Sequence, residues 1–275
     1  MKKKKSLKIF LYICAIIWAI VSLAPLVFSV ISSFKSTNEI YGQAFALPKS
    51  WEFTNYINAM EKANIGRAVA NSFFLAITST LLVILLASLV SFAITRTKYR
   101  FKNITLLYFL MGLTIPMHTT LIPLADLINR YNLRNKFIPL IFLYATFNLP
   151  FTIFIITGYM KGISKEIDEA ATIDGCGPLR LLFQVLFPLC KPAAATAAIV
   201  TFLGVYNELI FALLFLTDKS KHTISVSLMS LTGRYSSDKG AIFAAICMFI
   251  LPIIIIYVLC QEHVEKGITA GATKG

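Results

Sequence analysis

Residues 71 to 94 read NSFFLAITSTLLVILLASLVSFAI, with no charged side chain between Asn71 and Ile94. About 30 Å of hydrocarbon is crossed by roughly 20 mostly apolar residues in a helix rising 1.5 Å per residue, so this stretch is read as a membrane span. Outward from it lie five more: Ile9 to Ile31, Ile104 to Ile128, Phe137 to Tyr159, Ala193 to Leu216 and Ala241 to Cys260. The third is interrupted by Pro116, His118 and Pro123 and is expected to kink. The fold class is therefore an all-α integral membrane protein with six transmembrane helices. Composition agrees: of 275 residues, 57% are hydrophobic and only 14% charged, where soluble domains carry about a quarter. So apolar a chain is not disordered. Its net charge of +13 does not make it a nucleic-acid binder either, because such proteins concentrate charge on a wettable face.

The surplus of Lys and Arg orients the chain. With the N-terminus inside, fifteen basic residues fall in inner segments and eleven in outer loops; over the first two helices the ratio is nine to four. Both termini are read as cytoplasmic. The start Lys2-Lys3-Lys4-Lys5 resembles the charged region of a secretory signal, but its apolar run exceeds the usual 7–15 residues and no A-x-A site follows. An uncleaved first helix is the reading. None of the cysteines (14, 176, 190, 247, 260) lies in an outer loop, so no disulfide framework is expected. The long outer loop from Phe34 to Ala70 holds a turn at Leu47 to Trp51. It then continues through Thr54 to Met60, either a short surface helix or part of a solvated connector.

The chain carries no G-x-x-x-x-G-K-[ST] phosphate loop, no G-x-S-x-G and no H-E-x-x-H. The histidines 118, 222 and 263 are scattered. No catalytic residue, no metal site and no cofactor is expected on this chain; it is read as a non-enzyme.

The segment from Ile163 to Pro192 is too polar to span and too patterned to be slack. Ser164 is a candidate N-cap, followed by Glu166, Asp168 and Glu169 where the helix dipole favours anions. The helix should run to Asp174 and end at Gly175 in the left-handed conformation. Pro178 suits the first turn of a second helix, Leu179 to Phe187, which Pro188 would stop. The pair Ala170-Ala171 leaves one side flat for a close neighbour. An interfacial hairpin on lipid headgroups is the plain alternative, though acids at 166, 168 and 169 oppose a negative leaflet.

The run EAATIDGCGPLRLLFQVLFPLCKP, from Glu169 to Pro192, resembles the EAA loop of importer permeases of the ATP-binding-cassette (ABC) family, carbohydrate-uptake branch. Cys176 stands where that branch usually has Ala, and Phe187 where Leu is usual. Tyr206 to Leu216 resembles its fifth-span signature, usually with Trp in place of Tyr206. Glu265 to Gly275 resembles the tail of the second of two paired permeases. The resemblance implies a type I ABC importer transmembrane domain over 67–261, with the coupling loop at 163–192. Before it come the N-terminal tail, first helix and outer loop over 1–66, and after it a cytoplasmic tail over 262–275. It implies that Glu166, Glu169, Ala170, Ala171, Asp174, Gly175 and Pro188 meet a separate ATPase, and that Gly267, Gly271 and Lys274 face it from the tail. The tail's plain alternative is a frayed terminus. The implied partners are a homologous second permease, two ATPase subunits that bind ATP and Mg, and a solute-binding lipoprotein or periplasmic binding protein. The implied cargo is a sugar or oligosaccharide, and the implied location a bacterial cell (inner) membrane, multi-pass in the lipid bilayer.

Glu208 beside Asn207 in the fifth span costs about 2.5–3.5 kcal/mol to insert, so it faces a bundle interior or water. It lines a sugar path with Tyr206, Asn207 and Asn148, or relays protons in a secondary carrier, or is a buried acid bonded to a neighbouring helix. A proton-coupled sugar carrier using Glu208 is the leading rival function. Thr78, Ser79, Thr80, Ser88 and Ser91 of the second span are read as helix-packing positions.

Overall fold

The computed structural model describes residues 2–98, 100–234 and 238–272, and of 2–7, 232–234, 260 and 262–272 the backbone alone. Among the described residues all regular structure is helical. Four helices are long and apolar enough to cross a membrane: α1 (Lys2–Ser32), α4 (Ile65–Arg96), α7 (Phe137–Lys161) and the final helix (Lys239–Ala272). Two bent pairs raise the number of candidate spans to as many as six. Residues 8–25 of α1 are exposed throughout, Trp18 by 74%. So continuous an apolar surface has its place in hydrocarbon, not in water.

The chain forms two compact units. The first joins residues 1–67 to 227–252. Here the outer loop is no slack connector. It folds into α2 (Thr37–Gly42) and α3 (Thr54–Ala63) around a fully buried Lys35, whose Nζ donates to the carbonyls of Gln43 (2.9 Å) and Ala44 (3.0 Å). Asn55 Nδ2 donates to the carbonyls of Ser33 and Lys35 at 2.9 Å each. Gly240 sits so close that a Cβ would lie 2.5 Å from both Asn55 Nδ2 and the Lys35 carbonyl. Buried polar groups persist only with such partners.

The second unit covers residues 68–226 and 253–275. Its core sets α4 and α7 side by side, with Ala87, Ile94, Ile153, Ile156 and Met160 buried among them. Ser79, Thr80, Ser88 and Ser91 are buried, and Thr157 Oγ1 reaches Ser91 Oγ at 2.9 Å across the two helices. The third span breaks into α5 (Lys102–Met111) and α6 (Leu121–Arg130), joined by short 3-10 turns; the halves Lys102–Thr114 and Met117–Arg130 meet at 86°. Pro116 is the cause: it has no N–H and forces Ile115 into extended backbone (φ −80°, ψ 114°).

Two expectations need correction. The fifth span is not one helix from 193 to 216: α10 (Lys191–Tyr206) stops, and a short α11 (Ile210–Phe215) follows after a break. Pro188 does not stop the second loop helix. That helix, α9 (Pro178–Leu189), runs through it because residues Leu181–Leu186 open into a π-helix, whose wider turn gives the proline ring room. The last helix holds the expected sixth apolar stretch, as a candidate span over Lys239–Leu259, and continues to Ala272. After α12 (Ile224–Arg234) it is numbered α13.

Candidate functional site

Two places in the second unit carry organised polar chemistry, one in the loop between α7 and α10 and one at the break in the fifth span.

In the loop, α8 (Lys165–Ile173) begins where Ser164 Oγ accepts from the Glu166 amide at 3.3 Å. Its other end is a Schellman motif: the Cys176 amide donates to the Ala171 carbonyl (2.9 Å) and the Gly175 amide to the Thr172 carbonyl (3.0 Å), with Gly175 at φ +79°. A Cβ on Gly175 would meet nothing within 4 Å, so conformation and not space demands glycine. The flat pair divides its duties: Ala171 is buried against Leu181, Leu186 and Phe92, while Ala170 is exposed. Glu166, Glu169, Ala170 and Ile173 recur at helical spacing and all face outward, Ile173 by 86%. Asp174 and Pro188 are also exposed. Past the elbow, α9 meets α10 at 81° around a fully buried Cys190. Burial pushes that thiol up to about 11 although Arg96 pulls it the other way, so it is inert as a nucleophile.

In the fifth span the chain stops being helical at Asn207, and Glu208 bridges the gap. Its Oε1 accepts from the Phe211 amide (2.8 Å) and its Oε2 from the Ala212 amide (3.1 Å), so the side chain caps α11. Oε2 also accepts from Tyr144 Oη of α7 at 2.6 Å. The carboxylate thus satisfies two amides that the break would otherwise leave without a partner. Beside it opens a cavity of about 260 Å³ lined by Gly112, Tyr144, Phe147, Asn148, Gly204 and Glu208 among others. Small residues shape it: a Cβ on Gly112 would come 2.9 Å from Pro150 Cγ, so α7 approaches there closely. No cluster of metal-ligating side chains occurs among the described residues.

A profile described as "Binding-protein-dependent transport system inner membrane component" matches residues 84–270. The chain belongs to this family. Among its relatives is the diacetylchitobiose uptake system permease protein NgcG of Streptomyces coelicolor, 34% identical over 93% of this chain and 85% of that one. Another is the multiple sugar-binding transport system permease protein MsmG of Streptococcus mutans, 32% identical over the full length of both. In three dimensions the permease resembles a chain of a bacterial ABC transporter that imports the acidic polysaccharide alginate, with a TM-score of 0.83 over 95% of this chain and 98% of that one, at 21% identity. It is a carbohydrate-uptake ABC permease subunit, a multi-pass membrane protein and not an enzyme.

Against this frame the proposed residues separate. Glu166, Glu169, Ala170, Asp174, Gly175 and Pro188 share the exposed side of the permease's loop, and Ala171 roots it. Of the four pathway residues, Asn148 and Glu208 line the cavity. Tyr206 turns away, buried between Phe73 (5.5 Å, edge-on) and Phe202 (5.9 Å, stacked), and Asn207 is exposed as the cap of α10. Gly267 and Gly271 fall within α13; Lys274 lies outside the described residues. Tyr144, Gly112, Gly204 and Arg96 carry no local motif, and each is found only through its contact with a distant segment.

Proposed function

We propose that this permease crosses the membrane six times with both termini cytoplasmic, α5 with α6 serving as the third span and α10 with α11 as the fifth. It pairs with a homologous permease and two ATPase subunits, and receives a sugar or oligosaccharide from a solute-binding lipoprotein or periplasmic protein. A bacterial inner membrane is its setting. The observation that carries this reading is the outward face of α8. Glu166, Glu169, Ala170 and Ile173 form a short rigid rib, capped at both ends, with an exposed isoleucine that has no reason to meet water. Such a rib seated in a groove of an ATPase moves as a body when the groove moves.

ATP binding closes the ATPase pair, the ribs of the two permeases converge, and the pathway opens outward; hydrolysis returns it. ATP and Mg act on the partner chains, so this chain supplies geometry alone. The cargoes named for its relatives, diacetylchitobiose and multiple sugars, are carbohydrates, which supports a carbohydrate here. The cavity is smaller than the roughly 300–1,000 Å³ of ordinary ligand pockets, so it admits no more than a small part of an oligosaccharide. Asn148 is its polar contact for a hydroxyl, while Glu208 is committed to its cap.

The reading is tested by uptake of a panel of labelled mono- and oligosaccharides into cells carrying the full importer. Uptake should survive collapse of the proton gradient and cease on ATP depletion. The reverse pattern would remove the importer reading in favour of the Glu208 carrier.

A further inference from the structure

The last turn of α4 carries two residues four apart, Phe92 and Arg96, and both reach the loop that holds α8. Phe92 packs on the cluster of Ala171, Leu181 and Leu186. Arg96 Nη2 donates to the Ile163 carbonyl at 2.9 Å, and its Nε stands 2.7 Å from Asp168 Oδ2. The ion pair is enclosed, with the Arg96 side chain 5% exposed and that of Asp168 16%. Ile163 lies just ahead of the Ser164 cap and Asp168 in the first turn of α8. One guanidinium therefore grips both the chain entering the helix and the helix itself.

An apolar contact such as Phe92 on Ala171 permits sliding. A guanidinium hydrogen-bonded at one point and ion-paired at a second restrains orientation as well as distance. An enclosed ion pair is a poor source of net stability but strongly resists losing one partner, which makes it suited to registry. The two exposed acids of the rib, Glu166 and Glu169, are left out of this pair and remain on the outward side.

We infer that Arg96, through its ion pair with Asp168 and its bond to Ile163, is the positioning residue that makes α4 follow α8, so that displacement of the rib reaches the second span as rigid-body motion. The inference rests on the coupling reading of α8 and names where its stroke is delivered.

The test uses the whole complex in lipid vesicles, with spin labels on unnatural amino acids at position 165, exposed on α8, and position 81, where Leu81 is 65% exposed on α4. Distances are measured without nucleotide and with the non-hydrolysable analogue AMP-PNP. In the wild type the separation of 81 and 165 should stay constant between the two states. In Arg96→Gln and in Asp168→Asn it should change by about 1–2 Å or more, the scale of helix shifts at interfaces. The double variant should move no further than either single one, since all three break the same pair. Arg96→Lys, which keeps the charge without the fork, should fall between. Where Arg96→Gln does not assemble, Asp168→Asn decides, because it leaves the Ile163 bond in place. A wild-type separation that changes with nucleotide, or variants in which it stays constant, overturns the inference. A second label pair, from 165 to the homologous permease, checks the underlying reading separately: no movement of α8 on AMP-PNP binding would sink the coupling role itself.

Discussion

The loop of α8 and the break at Glu208 are both interrupted helices, built by opposite means. In the loop the devices that bend the chain are local, and α4 only anchors the result. Ser164 caps the start, Gly175 takes φ +79°, Pro178 opens the next helix, and the bonds that close the elbow span at most five residues. At the break the decisive bond runs from Tyr144 to Glu208, 64 residues apart, and the cap it supports lies between two apolar helices. Water can repair an imperfect elbow at an exposed surface, whereas in hydrocarbon every freed amide must find a protein partner. Local devices suffice for the first; the second needs another helix.

The contrast is broken most severely at the exposed rib. Glu169→Lys reverses a charge on its outward face and should abolish sugar uptake while the protein still inserts, checked by uptake beside membrane immunoblotting. Normal uptake would remove the rib from the coupling path. Gly175→Asp should also abolish uptake with insertion intact. A non-glycine residue there costs roughly 1–2 kcal/mol of backbone strain and redirects α8. A variant that transports normally would show that the elbow angle is immaterial.

At the break the effects should fall on stability before transport. Glu208→Ala leaves the Tyr144 hydroxyl and two amides unpaired, and each unsatisfied group costs about 1–3 kcal/mol. Thermal unfolding in detergent should show a clearly lowered midpoint. Glu208→Gln keeps one oxygen for two amides that donate to separate oxygens of Glu208, so it should lose about 1–3 kcal/mol, less than Glu208→Ala, and retain ATP-driven uptake. Loss of uptake with an unchanged midpoint would instead give Glu208 a direct role in transport. Tyr144→Phe removes one hydrogen bond and should be the mildest, about 1 kcal/mol or less, with the cap of α11 intact.

How much was legible follows the same division. The spans at 71–94 and 137–159 were readable because twenty apolar residues in hydrocarbon have one stable backbone form. The elbow was readable because Ser, Gly and Pro act within a turn of their own position. Pro188 misled, since its usual stop presumes the α-helical ladder and the chain had widened to a π-helix beforehand. The break at 207–209 was invisible, because apolar residues on both sides continue the pattern of a span. Glu208 stood out as costly, yet its three donors come from a following turn and a distant helix.

Sequence by itself therefore determined that the chain is helical, that it lives in a membrane, and where its polar elbow bends. These depend on apolar run length and on short-range backbone preferences. Only the tertiary structure decided which acid is a cap, which alanine is rooted and which is presented, and that Arg96 at the foot of one span holds the helix of another loop. Those depend on which distant side chain arrives within about 3 Å, the reach of a hydrogen bond.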